Sequence, residues 1–183
     1  AAPAAGSFAI SSALEDFLGD PLCVPIQTLW KGRGGWGGVV TAPDGVAVAF
    51  QSTGTGTCRR SRDGGVTWVA DVVIDTKAAM GNALVDENTG DLLYANPGGG
   101  WLFRSRDSGV TWTRETVELR PDGFGLTPGN RGVGAMQAGI TLAFGPKKGR
   151  LLMPARINGP QGSNDVEWRP YHYSTALYSD DGG

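Results

Sequence analysis

An octapeptide with the pattern S-x-D-x-G-x-T-W occurs twice in the chain, and its first five positions occur a third time. The complete copies are residues 61–68 (SRDGGVTW) and 105–112 (SRDSGVTW), which differ at one position, and the third copy is residues 179–183 (SDDGG). We refer to them as motifs 1, 2 and 3. Recurrence of one turn sequence indicates an architecture built from repeated structural units.

The residue types of the motif suit the turn of a β-hairpin. An Asp carboxylate can accept backbone N–H bonds within its own turn, and Gly adopts conformations closed to other residues. The Trp can fill the core beside the turn. We therefore predict a structural role for all motif residues: Ser61, Asp63, Gly65 and Trp68 in motif 1, Ser105, Asp107, Gly109 and Trp112 in motif 2, and Ser179, Asp181 and Gly183 in motif 3.

Three predicted β-hairpins alternate with the motifs. They join residues 39–41 to 46–50, residues 83–85 to 91–94, and residues 140–144 to 150–153. The first turn contains Pro43-Asp44-Gly45, in which Pro presets φ and Gly supplies a positive φ. With 30 Gly and 11 Pro among 183 residues, and short runs rich in Val, Thr, Trp and Phe, the chain is predicted to be all-β.

The spacing of the motifs favours a β-propeller. Their first residues are 61, 105 and 179, so the intervals are 44 and 74 residues, whereas one four-stranded blade takes roughly 40–50 residues. The longer interval fits one blade with insertions, for which residues 121–131 and 158–170 are the candidate loops. We expect an N-terminal strap over residues 1–23 and three to four blades over residues 24–183. The ring would be completed beyond Gly183 or by a second chain.

Composition narrows the classes of function. The 16 Lys and Arg nearly balance the 18 Asp and Glu, which argues against non-specific nucleic-acid binding. No apolar run approaches the roughly 20 residues of a spanning helix, so no membrane span is expected. One His leaves little material for a metal site, and no metal or cofactor is predicted. Cys23 and Cys58 could form one disulfide or remain two buried thiols.

The motif resembles the Asp box, and its context is similar to the sialidase (neuraminidase) superfamily of glycoside hydrolases. The resemblance covers about residues 36–183 and concerns the N-terminal half of bacterial exo-sialidases. It is carried by residues 39–50 (VVTAPDGVAVAF), residues 81–90 (GNALVDENTG), residues 134–155 and the opening of motif 3. The resemblance implies a six-bladed propeller, a secreted or extracellular location, and hydrolysis of a terminal acidic sugar from a glycan.

The resemblance also implies a catalytic set at one face of the propeller. Three arginines bind the substrate carboxylate, an Asp is the acid/base, and a Tyr paired with a Glu is the nucleophile. The first arginine of the family corresponds to Gly35, and Arg33 lies two residues before it. The acid/base Asp is expected within residues 51–57 (QSTGTGT), which contain no acid. The remaining residues of the set are expected beyond Gly183.

Further candidate site residues follow from residue type and setting. Trp36 and Trp101 stand beside Gly runs and could stack on a sugar face. Arg156 follows a strand and could point into a central cavity, or pair with Asp165 or Glu167. His172 lies between two Tyr residues and could be a general base, although a lone His in such a setting is more often a packed or hydrogen-bonded strand residue.

Three functional hypotheses result. The first is a sialidase-like exo-glycosidase with Arg33, Trp36, Trp101 and Arg156 in contact with substrate. The second is a non-catalytic Asp-box propeller that binds a glycan or a protein, or is a subunit of an assembly. The third is a polysaccharide lyase in which His172 or a Tyr abstracts a proton. The ordered match of segments favours the first, and the missing acid in residues 51–57 favours the others.

Overall fold

The computed structural model describes residues 28–31, 36–52, 54–77, 81–120, 131–135, 137–160 and 173–183. The chain divides into two compact units, residues 1–32 and 33–183, and all described strands lie in the second unit. The strap predicted for residues 1–23 lies outside the described residues. Within them, strands are joined by turns and one 3₁₀ turn at Pro97–Gly99, so the all-β prediction is confirmed.

Three four-stranded antiparallel sheets follow one another along the chain. In the first two sheets each strand pairs with the next strand in sequence. In the third sheet the first strand is interrupted, and both of its pieces pair with β11. Sheet 1 contains β1 (Trp36–Thr41), β2 (Ala47–Ser52), β3 (Gly56–Ser61) and β4 (Val72–Asp75); sheet 2 contains β5 (Asn82–Asp86), β6 (Asp91–Asn96), β7 (Trp101–Ser105) and β8 (Thr113–Thr116); sheet 3 contains β9 (Arg131–Ala135), β10 (Ile140–Thr141), β11 (Leu151–Pro160) and β12 (Tyr173–Ser179).

The predicted hairpins correspond to β1–β2, β5–β6 and β10–β11, but the third differs in length. Its first strand ends at Thr141 instead of continuing to Phe144. The amide of Leu142 donates to the Arg150 carbonyl, and the amide of Gly149 donates to the Leu142 carbonyl. These bonds begin the turn early, so Phe144 lies in the turn and is 89% exposed.

Each motif follows the third strand of its own sheet, when β9 and β10 are counted as one interrupted strand. Ser61 ends β3, Ser105 ends β7 and Ser179 ends β12. The 74-residue interval therefore spans one sheet, like the 44-residue interval. Part of its extra length is β11, which has ten residues, and the rest includes residues 121–130 and 161–172, which lie outside the described residues.

The motifs and the hairpin turns lie at the same end of the sheets. Ala47 pairs with Thr41 on one side and with Ser61 on the other, which places the β1–β2 turn beside motif 1. Across sheets, Asn88 Nδ2 of the β5–β6 turn donates to the Gly149 carbonyl of the β10–β11 turn at 2.8 Å. We call this end the motif edge and the other end, where β1 and β5 begin, the opposite edge.

Sheet 2 packs between sheets 1 and 3. Its face towards sheet 1 contributes Tyr94, whose ring stacks on Phe50 with centroids 5.8 Å apart. Its face towards sheet 3 contributes Leu93, which is completely buried. The core against sheet 1 contains Val40, Val48, Phe50, Cys58, Ala83, Leu92, Tyr94 and Phe103, and the core against sheet 3 contains Leu84, Leu93, Leu102, Ala135, Leu151 and Met153.

Cys58 is a free thiol within the first of these cores. Its Sγ lies 3.7 Å from the Gly109 carbonyl, and burial raises the pKa of the thiol to about 11. The thiol is therefore protonated at neutral pH and packs as a small apolar group. Cys23, the other cysteine of the possible disulfide, lies outside the described residues.

Packing of sheet 2 against sheet 3 can be tested at Leu93. We predict that Leu93→Ala lowers the free energy of unfolding by about 2–5 kcal/mol, because it leaves a cavity between the two sheets. Urea unfolding followed by tryptophan fluorescence measures the change. The control is Val39→Ala, whose side chain is 59% exposed and whose effect should stay within about 0.5 kcal/mol. Equal effects of the two substitutions would contradict the described packing.

Candidate functional site

Motif 1 forms a turn closed by its own side chains. Ser61 Oγ accepts the amide of Gly65 at 2.8 Å and donates to Asp63 Oδ1 at 2.7 Å. Asp63 in turn accepts the amide of Thr67 at 2.9 Å and the hydroxyl of Thr67. Gly65 has a φ of 93°, a conformation that strongly favours glycine. Trp68 is half-buried and donates from Nε1 to the Gly65 carbonyl at 2.9 Å.

Motif 2 repeats this turn. Ser105 Oγ accepts the amide of Gly109 at 2.9 Å, and Asp107 accepts the amide of Thr111 at 2.8 Å together with its hydroxyl. Trp112 extends away from the turn and meets Phe50 of sheet 1 edge-on, with ring centroids 5.9 Å apart. The motif 2 tryptophan therefore packs between two sheets.

Hydrogen bonds hold the motif carboxylates in their ionised form. Donation from the Thr67 hydroxyl, and then from the Thr67 amide and Ser61, lowers the pKa of Asp63 to about 2. For Asp107, partial burial raises the pKa, but bonds from Thr111 and Ser105 outweigh it and the net shift is downward. A carboxyl with such a pKa is a poor proton donor near neutral pH. These residues brace turns and are unsuited to acid catalysis.

The sequence-derived site candidates that the structure describes lie away from the motif edge. Trp36 is the first residue of β1 and Trp101 is the first residue of β7, so they begin strands of neighbouring sheets at the opposite edge. Arg156 lies in sheet 3, on β11 between Gly134 and Ser174. The candidates Arg33 and His172, together with the possible Arg156 partners Asp165 and Glu167, lie outside the described residues.

Trp101 has one ring face covered. The guanidinium carbon of Arg114 lies 4.4 Å from the centroid of its ring, a cation–π contact. A Cβ at Gly99 would lie 2.7 Å from Trp101 Cδ1, so the absence of a side chain there admits the indole. Trp101 is half-buried in this setting and also packs against the core between sheets 1 and 2.

Arg156 lies on the face of sheet 3 that is turned away from sheet 2. Its neighbours along the strand, Ala155 and Ile157, are buried in the core, and side chains alternate between the two faces of a strand. Its cross-strand neighbours Gly134 and Ser174 are small. Arg156 is half-buried, and it lies one sheet further along the chain than Trp101.

The structure also reveals polar residues at the opposite edge that the sequence analysis did not select. Asn82 is completely buried at the start of β5, and its Nδ2 has no hydrogen-bond acceptor among the described residues. Burial raises the pKa of Tyr94, and the nearby Ser52 hydroxyl acts in the opposite direction. Both residues could have been selected from the sequence, because Asn82 and Tyr94 are polar residues next to apolar strand residues.

A carboxylate lies beside residues 51–57, the segment that contains no acidic residue of its own. Asp75 is the last residue of β4, and it pairs across the sheet with Gly56. Its Oδ1 accepts the amide of Lys77 at 3.1 Å. Asp75 is 19 residues from Gly56 in the chain, so only the strand register brings the two together.

The described residues contain no group of three or more His, Cys, Asp or Glu side chains placed to hold a metal ion. In the same part of the chain, no helix is long and apolar enough to cross a bilayer. No protein-family model matches the chain, and no curated protein matches its sequence significantly. The functional argument therefore depends on the arrangement of residues at the two edges.

The hydrogen bonds from Thr67 to Asp63 predict how the stability of the fold changes with pH. The pKa of Asp63 is lowered below its unfolded value, so the ionised carboxylate stabilises the fold above about pH 4, and this contribution is lost as the pH falls towards 2. We predict that Thr67→Val raises the pKa of Asp63 towards its ordinary value, because the largest cause of the shift is removed.

Carboxyl ¹³C shifts recorded from pH 5 to pH 1.5 measure this titration. Thr111→Val is the matched control, because it changes the partner of Asp107 in motif 2 and leaves Asp63 unaltered. An Asp63 titration that is the same in the wild type and in Thr67→Val would contradict the described turn.

Proposed function

We propose that the three sheets are consecutive blades of an Asp-box β-propeller of the sialidase type. In a propeller, the first strands of successive blades lie side by side around the central axis. Here β1 contacts β5, and β5 contacts β10. The amide of Gly139, just before β10, donates to the Ala83 carbonyl of β5 at 2.9 Å. These contacts between first strands, with the face-to-face packing of the sheets, support the proposal.

We further propose that the opposite edge binds a terminal acidic sugar of a glycan and hydrolyses its glycosidic bond. The observation that carries this proposal is the division of residues between the two edges. The motif carboxylates brace turns at one edge, whereas Trp36 and Trp101 begin strands at the other. An indole can stack on a sugar ring, and the guanidinium of Arg156 or Arg33 can bind both oxygens of a sugar carboxylate. We also propose a secreted or extracellular location, which is the one that the resemblance to exo-sialidases implies.

A non-catalytic glycan-binding propeller is the second candidate. Residues 51–57 contain no acid, and this observation favours binding without hydrolysis. The choice between the two functions depends on Asp75. Strand register brings its carboxylate beside Gly56, in the segment that itself contains no acid. In a hydrolase it would supply the proton to the leaving group, a role that needs a carboxylic acid within hydrogen-bond reach of the glycosidic oxygen.

Release of a fluorophore from a sialoside tests the proposed function. We predict that Arg156→Ala lowers kcat/KM at least about tenfold, because one charge-assisted contact to the substrate carboxylate is lost. Arg62→Ala is the matched control, since Arg62 is an exposed arginine at the motif edge, and it should retain wild-type activity. Asp75→Asn should lower kcat while leaving substrate binding intact.

The outcomes of this experiment distinguish the two functions, and one of them would overturn both. Binding of a sialoside without release of the fluorophore by the wild type would favour the non-catalytic propeller. Equal losses in Arg156→Ala and Arg62→Ala would mean that the arginines act through stability, and unfolding curves of both variants would show it. A wild-type chain that neither binds nor cleaves the sialoside would overturn the proposal.

A further inference from the structure

Polar side chains of sheets 1 and 2 meet at the opposite edge. Ser52 ends β2, and its Oγ accepts the amide of Gly81 at 3.4 Å. Gly81 directly precedes β5 and lies against the phenol of Tyr94, since a Cβ at Gly81 would be 2.4 Å from Tyr94 Oη. Ser52 of sheet 1 and Tyr94 of sheet 2 therefore contact the same residue. Asp75, the last residue of β4, lies at the same edge.

A β-bulge in β4 brings Asp75 to the face of sheet 1 that packs on sheet 2. Gly56 pairs with Asp75, whereas the pairs that follow are shifted by one residue, so Ile74 is an extra residue. Ile74 is buried in the core between the two sheets, and simple alternation would direct the next side chain away from that core. The bulge instead places Asp75 in register with Gly56, and through Gly56 with Ser52. Side chains in register across a sheet share one face.

The charge of Asp75 acts on the hydroxyl of Tyr94. Burial is the largest cause that raises the pKa of Tyr94, the nearby Ser52 hydroxyl lowers it, and the Asp75 carboxylate raises it further. The phenol is therefore protonated at neutral pH and is a hydrogen-bond donor. Its Oη makes no hydrogen bond to the residues that the structure describes, so this donor is available to a neighbouring carboxyl group.

The ring of Tyr94 is held in place by aromatic packing. It stacks on Phe50 with centroids 5.8 Å apart, and it meets Phe103 at 6.3 Å. Tyr94 is completely buried, so it does not touch a molecule bound at the surface of the edge. Asp75 is only half-buried and remains within reach of such a molecule. An effect of Tyr94 on a bound substrate therefore has to pass through Asp75.

From these observations we propose that Tyr94 is a positioning residue for Asp75. The proposal rests on the proposed function, in which Asp75 protonates the leaving group. Asp75 Oδ1 already accepts the amide of Lys77 at 3.1 Å, and the hydroxyl of Tyr94 is the second donor to this carboxyl group. Two donors fix its orientation and stabilise the carboxylate that remains after the proton has passed to the glycosidic oxygen. The proposal adds no covalent step to the hydrolysis.

Thermal unfolding tests whether the two side chains act on each other. We expect the Tm changes of Tyr94→Phe and Asp75→Asn to be non-additive in the double variant, because each substitution removes a group that interacts with the other. Asp44→Asn is the matched control, since Asp44 is an exposed aspartate of sheet 1 at the motif edge. Combined with Tyr94→Phe, it should give the sum of the two single changes.

Sialoside hydrolysis tests whether this interaction serves proton transfer. With an alkyl sialoside, Tyr94→Phe should lower kcat about tenfold and leave KM unchanged, because the contacts to the substrate remain. With a sialoside of an acidic phenol the loss should be several-fold smaller, because such a leaving group departs without protonation. Tyr178→Phe is the control. Tyr178 is 64% exposed, and the variant should retain the wild-type kcat with both substrates.

Three results would overturn the proposal. The first is an additive Tm change in the double variant of Tyr94 and Asp75. The second is an unchanged kcat in Tyr94→Phe, and the third is an equal loss of kcat with both leaving groups, which a purely structural role would produce. A wild type that cleaves neither sialoside would instead overturn the proposed function. A non-additive Tm change in such a chain would reduce Tyr94 to a structural neighbour of Asp75, so the two failures are distinguishable.

Discussion

The hydrogen bonds between the motif aspartate and the threonine four residues later are the interaction on which the fourth strands of sheets 1 and 2 depend. They close the turn that follows the third strand, so the chain returns to pair as the fourth strand. The same turn holds a glycine against the preceding sheet, as Gly109 does on Arg60. One local pattern of bonds thereby sets both the pairing within a sheet and the contact between sheets. This explains how an eight-residue motif can determine the architecture of a much longer chain.

The all-β class and the order of the sheets could be predicted from the turn motifs, because these depend on residues close together in sequence. Contacts between residues far apart in sequence could not be predicted in this way. Motifs 1 and 2 are nearly identical, yet Trp112 packs on Phe50 of another sheet while Trp68 bonds to its own turn. A tryptophan's burial depends on which sheet precedes it, and the motif holds no information about that. The early end of β10 also depends on a residue distant in sequence, because the amide of Gly149, across the turn, donates a hydrogen bond to the Leu142 carbonyl.

The candidate site depends even more on strand register. The chain places Trp101 and Arg114 in different strands, and only the β7–β8 pairing brings the guanidinium over the indole. Asp75 reaches Gly56 in the same way, so a search for an acid confined to residues 51–57 could not find it. The predictions for Arg33 and His172 stay predictions, because both residues lie outside the described part of the chain.

The distance between the two edges limits what the motif can indicate about function. The strands that separate the motif carboxylates from the opposite edge are five or six residues long in sheet 2, which is about 17–20 Å for an extended chain. At that distance a turn-bracing carboxylate cannot touch a substrate bound at the other edge. Selection on folding can therefore retain the motif whether or not catalysis is retained. Activity has to be argued from the aromatic, cationic and acidic residues of the opposite edge, and the motif accounts for the scaffold that positions them.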